Sequence, residues 1–295
     1  MGRYVFGTSV RGASHIRSNR PCQDCSTVRS SEFASLKKGR MKDHYAGLRD
    51  EIVLLSVADG HGSESCPYSD KGAEFATDVF CDIMAEFCFK YKDNMEALRV
   101  YLNREADTRL AKAIDAEWKK RVQSYHNKLV NIGQREKVLG LDGTPDKEGI
   151  WRLYGTTLLG LVMTKDFNFA FQLGDGDITY IDDTGAKPVL EIEKILGVET
   201  HSLSKRDSWK NAVTRVINRD TEESMPFMYM LTSDGMANSF ISETEFHKNC
   251  YGYFEVIKEH GAQEVEKQLD DWLSETSKMG CGDDISAVIA YYVEE

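Results

Sequence analysis

Glu51-Ile52-Val53-Leu54-Leu55-Ser56-Val57-Ala58-Asp59-Gly60-His61-Gly62 is a short apolar run that stops at an acidic turn. A run this short, bounded by Asp-Gly and rich in Val, Ile and Leu, reads as a strand buried on both faces. The same figure recurs along the chain. Phe167 to Leu173 leads into Gly174-Asp175-Gly176-Asp177, and Phe227 to Thr232 leads into Ser233-Asp234-Gly235. Gly280-Cys281-Gly282-Asp283-Asp284 inverts the order and opens into the apolar stretch Ile285 to Val293. Residues 3–10, 156–164 and 178–181 complete the expected strands.

Helical spacing occupies the gaps. Phe75, Val79, Phe80, Ile83, Met84 and Phe87 follow the helical repeat over residues 69–92. A second helix is predicted from Met95, with Leu98, Leu102, Leu110, Ile114, Trp118 and Val122 on one face, running past residue 125. Two more are predicted at 242–259 and 262–277. Residues 29–50 read as a polar loop or hairpin excursion, 131–150 as a loop, and 182–225 as weakly patterned. Strands in both halves with helices between them predict an α+β fold of sheets packed on one another, with helices outside. No internal repeat and no linker divides the chain, so a single domain over 1–295 is expected.

The 295 residues are 41% hydrophobic and 29% charged, which supports a sizeable core and excludes a disordered or collagen-like chain. The net charge of −11 opposes binding to nucleic acid or an anionic membrane. The cluster Lys37-Lys38-Gly39-Arg40-Met41-Lys42 reads as a solvated loop. No apolar run is long enough to span a bilayer. The first residues lack a signal-peptide core, and Phe6 breaks the myristoylation pattern. A cytoplasmic location is therefore expected. Seven scattered Cys argue for reduced thiols, and Cys22-Gln23-Asp24-Cys25 has CxxC spacing but no second CxxC or nearby His pair to make a zinc site. Phosphate-loop, zincin and nucleophile-elbow motifs are missing. Gly174-Asp175-Gly176-Asp177 lacks the later ligands of a calcium-binding EF-hand.

Taken singly, each Asp-Gly is an ordinary turn. Gathered together, carboxylates at the ends of core strands would repel one another unless cations neutralised them. Hard divalent ions such as Mg²⁺ or Mn²⁺ prefer oxygen ligands of this kind. Two such ions about 3.5–4 Å apart are one solution for in-line displacement at phosphorus. A His directly after Asp-Gly stands where a proton donor would be useful.

The ordered motifs Gln23-Asp24, Ala58-Asp59-Gly60-His61-Gly62, Gly155-Thr156-Thr157, Leu173-Gly174-Asp175, Thr232-Ser233-Asp234-Gly235 and Gly282-Asp283-Asp284-Ile285-Ser286 resemble those of the metal-dependent protein serine/threonine phosphatases of type 2C, in their bacterial style. The resemblance covers nearly the whole chain, residues 4–293. The resemblance implies a β-sandwich of two antiparallel sheets flanked by antiparallel helix pairs, with a two-metal centre at one end. It implies Asp59 as bridging ligand, Asp234 and Asp283 on the first metal, and Asp24 with the Gly60 carbonyl on the second. Asp175 corresponds to the carboxylate of a third, weaker metal, and His61 to the general acid. Gln23 stands where some members have Glu, and Asp284 where Asn is common, which adds a charge near the site. The phosphate-binding Arg of the family falls at Asn19, so Arg17 or Arg20 is the expected substitute. Residues 119–150 are expected to be an inserted helical or loop segment.

The implied activity is hydrolysis of phosphoserine and phosphothreonine on proteins by a water activated between two Mn²⁺ or Mg²⁺ ions, without a phosphoenzyme. The implied partners are a phosphorylated protein and an opposing kinase, and the chain is expected to be a monomer. Two alternatives remain. One is a pseudophosphatase that binds or senses a partner, suggested by Gln23 and Asn19. The other is a phosphatase of small phosphoesters.

Overall fold

The computed structural model describes residues 2–49, 51–192 and 200–294. Its strands are β1 (Gly2–Val10), β2 (Cys25–Arg29), β3 (Val53–Ala58), β4 (Leu158–Met163), β5 (Phe167–Leu173), β6 (Asp177–Asp182), β7 (Gly185–Pro188), β8 (Val213–Asn218), β9 (Phe227–Thr232) and β10 (Ile285–Val293). They form two five-stranded sheets in the orders β1-β10-β9-β6-β7 and β2-β3-β4-β5-β8. All neighbouring strands are antiparallel.

The helices are α1 (Ala13–Arg17), α2 (Gly39–Ala46), α3 (Ser69–Lys90), α4 (Met95–Glu105), α5 (Ala111–Asn131), α6 (Lys147–Arg152), α7 (Arg219–Glu222), α8 (Asp234–Ala237), α9 (Glu243–His260) and α10 (Ala262–Met279). Side-chain alternation along the strands sorts the layers. Val53, Leu55 and Val57 of β3 meet Tyr229, Leu231, Val288 and Ala290 between the sheets. Leu54 and Ala58, on the other face, pack with Val79, Phe80, Ile114 and Trp118 of α3 and α5. In the second sheet, Met228 and Met230 of β9 face Phe254, Val265, Leu269 and Leu273 of α9 and α10. Helices therefore cover the outer faces of both sheets. That is why the central strands read as unbroken apolar runs and not as alternating ones.

The predicted strands and long helices are present, with three differences. The polar excursion at 29–50 contains the end of β2, a 3₁₀ turn at Ser31–Leu36 and α2. Buried Tyr45 anchors it, donating from its hydroxyl to Asp82 Oδ1 at 3.0 Å. The weakly patterned stretch 182–225 contains β7, β8 and α7, while its residues 193–199 lie outside those described. In the presumed loop 131–150, α6 begins at Lys147, and Asp146 caps it by accepting from the Gly149 amide at 2.9 Å.

The long helix after Met95 has a defined irregularity. Leu98, Leu102, Ala106, Leu110, Ile114, Trp118 and Val122 are all buried at every fourth position. A regular helix repeats every 3.6 residues, so this spacing drifts around its axis. A π turn at Ala106–Leu110 takes up part of the drift and keeps the stripe on the core.

Candidate metal centre

Antiparallel pairing gathers the acidic turns at one end of the sandwich. Cys25 pairs with Ala58, so Asp24 and Asp59 leave adjacent strand ends side by side. Leu158 pairs with Leu173, which brings the turn at Asp175 to the same edge. In the other sheet Ala287 pairs with Thr232, and the Ser233 amide donates to the Ser286 carbonyl at 3.1 Å. Asp234 and Asp283 therefore share an end as well.

Asp59, Asp175 and Asp234 each offer a ligand atom, and these atoms lie within 4.8 Å of one another. Asp283 lines the same cleft of about 660 Å³, together with Gly60, His61 and Gly62. Asp24 is buried just behind it. Desolvation pushes its carboxyl up to about 8, and the charges of Asp284 and Asp234 add to the rise against a hydrogen bond from Ser233. Asp59 is also raised well above the usual carboxylate range, first by desolvation and then by Asp24, Asp234 and Asp283. Among the described residues, Asp24 Oδ2 is buried with no hydrogen-bond partner. An orphaned carboxylate oxygen inside a group of mutually repelling acids fits a hard divalent cation.

The loop that carries Asp59 is held from both sides. Its carbonyl accepts from the Thr157 amide at 2.9 Å and from Thr156 Oγ1 at 2.8 Å, and its amide donates to Thr157 Oγ1 at 3.0 Å. The Gly60 amide donates to the Gln23 carbonyl at 3.2 Å. A Cβ at Gly60 would lie 2.5 Å from the Gln23 carbonyl oxygen and 2.7 Å from that of Ser69, so the close approach of three segments requires glycine. The His61 amide donates to the Gly155 carbonyl at 3.0 Å, and a Cβ at Gly155 would lie 2.6 Å from His61 Cδ2. The Gly-Thr-Thr segment thus seats both Asp59 and His61.

Of the other singled-out residues, Asp175 Oδ2 accepts from Thr200 Oγ1 at 2.6 Å, and Asp234 Oδ2 from Asn238 Nδ2 at 2.9 Å. Gln23 Nε2 donates to Ser69 Oγ at 2.6 Å. Arg17 and Arg20 are exposed, and neither lines the cleft. Arg20 Nη1 donates to the Gly62 carbonyl at 2.6 Å.

Two features escaped the sequence reading. Asp284 does add a charge near the site, and what the sequence did not show is how that charge is held. It accepts from the Gly12 and Gln23 amides, both at 2.6 Å, and bonds His15 Nδ1 at 2.8 Å. Buried His15 also places Nε2 3.7 Å from Asp283 Oδ1. No local motif marks His15; its role exists only because the last strand returns beside the first. The second feature is a basic wall. Arg152, Lys205 and Arg206 line the same cleft as the acids, Arg152 at the end of α6 and the other two in the stretch 182–225 that read as weakly patterned.

A sequence model of protein phosphatase 2C matches residues 11–274. The chain belongs to the protein phosphatase 2C family. It is accordingly a metal-dependent phosphatase of the serine/threonine class. No curated protein sequence matches it significantly. Solved structures share the fold at low identity. The catalytic domain of the serine/threonine protein phosphatase PstP, in complex with two manganese ions, is 15% identical with a TM-score of 0.52, covering 99% of both chains. The serine/threonine phosphatase of S. agalactiae is 13% identical with a TM-score of 0.53, covering 99% of this chain and 100% of its own. A C. elegans sex determining protein is 14% identical with a TM-score of 0.56, covering 99% of this chain and 65% of its own. No helix among the described residues of this type 2C phosphatase is long and apolar enough to cross a membrane.

Proposed function

We propose that the chain removes phosphate from phosphoserine and phosphothreonine on proteins, opposing a kinase, as a cytoplasmic single-domain monomer. Asp24, Asp59, Asp234, Asp283 and the Gly60 carbonyl would hold two Mn²⁺ or Mg²⁺ ions, with Asp175 at a third. When bound, the ions supply a water of lowered pKa and positive charge for the phosphoryl oxygens. His61, seated on the same loop as Asp59, holds a proton for the departing serine or threonine alkoxide. Of the two arginines before Asp24, Arg20 is the better placed for the phosphoryl group, since it already bonds the Gly62 carbonyl.

The observation that carries this reading is the meeting of Asp59, Asp175 and Asp234 within 4.8 Å from three strand ends in two sheets. The test is turnover of para-nitrophenyl phosphate and a phosphothreonine peptide across a Mn²⁺ titration. Wild type turns over both in a Mn²⁺-dependent way. Asp59→Asn loses at least about 100-fold while keeping its circular dichroism spectrum. Full activity in Asp59→Asn rejects the bridging role. Wild-type inactivity at saturating Mn²⁺ supports a binding module in place of an enzyme.

A further inference from the structure

The cleft that holds the carboxylates also carries cations, against the sign of the molecule. The chain carries −11 overall, yet Arg152, Lys205 and Arg206 line the same cleft as Asp59, Asp234 and Asp283. Arg152 closes α6, and the other two lie just beyond residue 200.

Both arginines are loosely held. Arg152 Nη2 lies 3.5 Å from Asp146 Oδ2, with the Arg152 side chain 67% exposed. Asp146 is already engaged as the cap of α6. Arg206 Nε lies 3.2 Å from Glu148 Oε1, with the two side chains 79% and 49% exposed. Exposed pairs of this kind contribute only about 0–1 kcal/mol, so an incoming carboxylate can exchange with Asp146 or Glu148 at little cost. Glu148 and Arg206 also line a second cavity of about 700 Å³, along with Lys120, Lys147 and Trp151. A path therefore leads from the acidic cluster, over the Glu148–Arg206 pair, into a cavity where Lys120 and Lys147 stand among the acids Asp115, Asp146 and Asp207. A polypeptide placing its phosphorylated residue at the acidic cluster has room to lay one flank along this path.

We infer that Arg152, Lys205 and Arg206 select phosphoproteins that carry Asp or Glu beside the phosphorylated residue, on the flank that enters the second cavity. This inference rests on the phosphatase reading above. A carboxylate on that flank gains charge-assisted hydrogen bonds from the wall, whereas a lysine there faces three like charges. The wall discriminates among polypeptides and has no role for a substrate without a flank.

The test compares para-nitrophenyl phosphate with three phosphothreonine peptides whose flanks carry Glu, Gln or Lys, using the Mn²⁺-loaded full chain. Wild type favours the Glu peptide over the Gln peptide by roughly three- to tenfold in kcat/KM at low salt, and the preference shrinks in 0.5 M NaCl (about a 4 Å Debye length). In the Arg152→Glu/Arg206→Glu double variant the Glu-to-Lys preference inverts, and the peptide rate falls more than the nitrophenyl phosphate rate. Nitrophenyl phosphate turnover without flank preference overturns this inference alone. A double variant in which peptides and nitrophenyl phosphate fall together also overturns it, since the arginines then serve the phosphoryl group or the fold. Absence of all turnover by wild type removes the phosphatase reading, and this inference with it.

Discussion

His15 Nδ1 and Asp284 Oδ2 lie 2.8 Å apart in the buried seam where the segment after β1 meets the start of β10. Asp284 also accepts from the Gly12 and Gln23 amides. One carboxylate thereby fastens both ends of the stretch leading to Asp24. Its replacement leaves buried donors unsatisfied, each at a cost of about 1–3 kcal/mol. Asp284→Ala should lower unfolding free energy by roughly 3 kcal/mol in urea titrations, and Asp284→Asn by less, because one acceptor oxygen remains. A loss under about 1 kcal/mol for Asp284→Ala would contradict the anchoring role.

The acidic cluster makes metal-free stability depend on pH with a defined sign. Asp24 is raised to about 8 in the folded chain, and Asp59 is raised as well. Unfolded carboxylates titrate near about 4, so between about 4 and 8 the folded state binds more protons. The stabilising contribution of Asp24 is complete below about 4 and is lost as pH rises through about 8, and Asp59 acts in the same direction. Metal-free protein should therefore melt lower at pH 8 than at pH 5.5, and added Mn²⁺ should raise the melting temperature more at pH 8. An equal Mn²⁺ effect at the two values would argue against binding at these carboxylates.

Gly60→Ala tests the close approach of the segments carrying Gln23, Asp59 and Ser69. The new methyl meets two carbonyl oxygens inside 3 Å. Overpacking of this kind costs about 1–3 kcal/mol. The variant should also bind Mn²⁺ more weakly by calorimetry, because relieving the clash separates Asp24 from Asp59. Unchanged affinity and stability would mean that the loop yields freely.

His61→Ala should slow the hydrolysis of alkyl phosphates about 10- to 100-fold more than that of para-nitrophenyl phosphate. Nitrophenolate leaves without a proton, whereas an alkoxide requires one. Equal slowing on both substrates would assign His61 to holding the loop.

The legible part of the molecule was the part with local periodicity. Val53 to Ala58 and Phe227 to Thr232 announce strands covered on both faces, and the acidic turns follow directly from where those strands stop. What escaped has physical causes. Val213–Asn218 is an edge strand with alternating, half-exposed side chains, so no buried run betrays it. Gly39–Ala46 is a polar helix tied down by two buried side chains, His44 and Tyr45. His15 bonds Asp284, 269 positions away, and such a contact leaves no trace in neighbouring residues.

Asp24, Asp59 and Asp175 extend from one sheet, whereas Asp234 and Asp283 extend from the other. Ions seated among them would rivet the two leaves together at their open mouth, where oil-like packing gives way to solvent. The supply of divalent salt in the surroundings would then set how firmly that mouth stays shut. Chelation should fray this edge first, visible as faster amide exchange at residues 58–62 and 232–236 while the middle of the leaves stays protected.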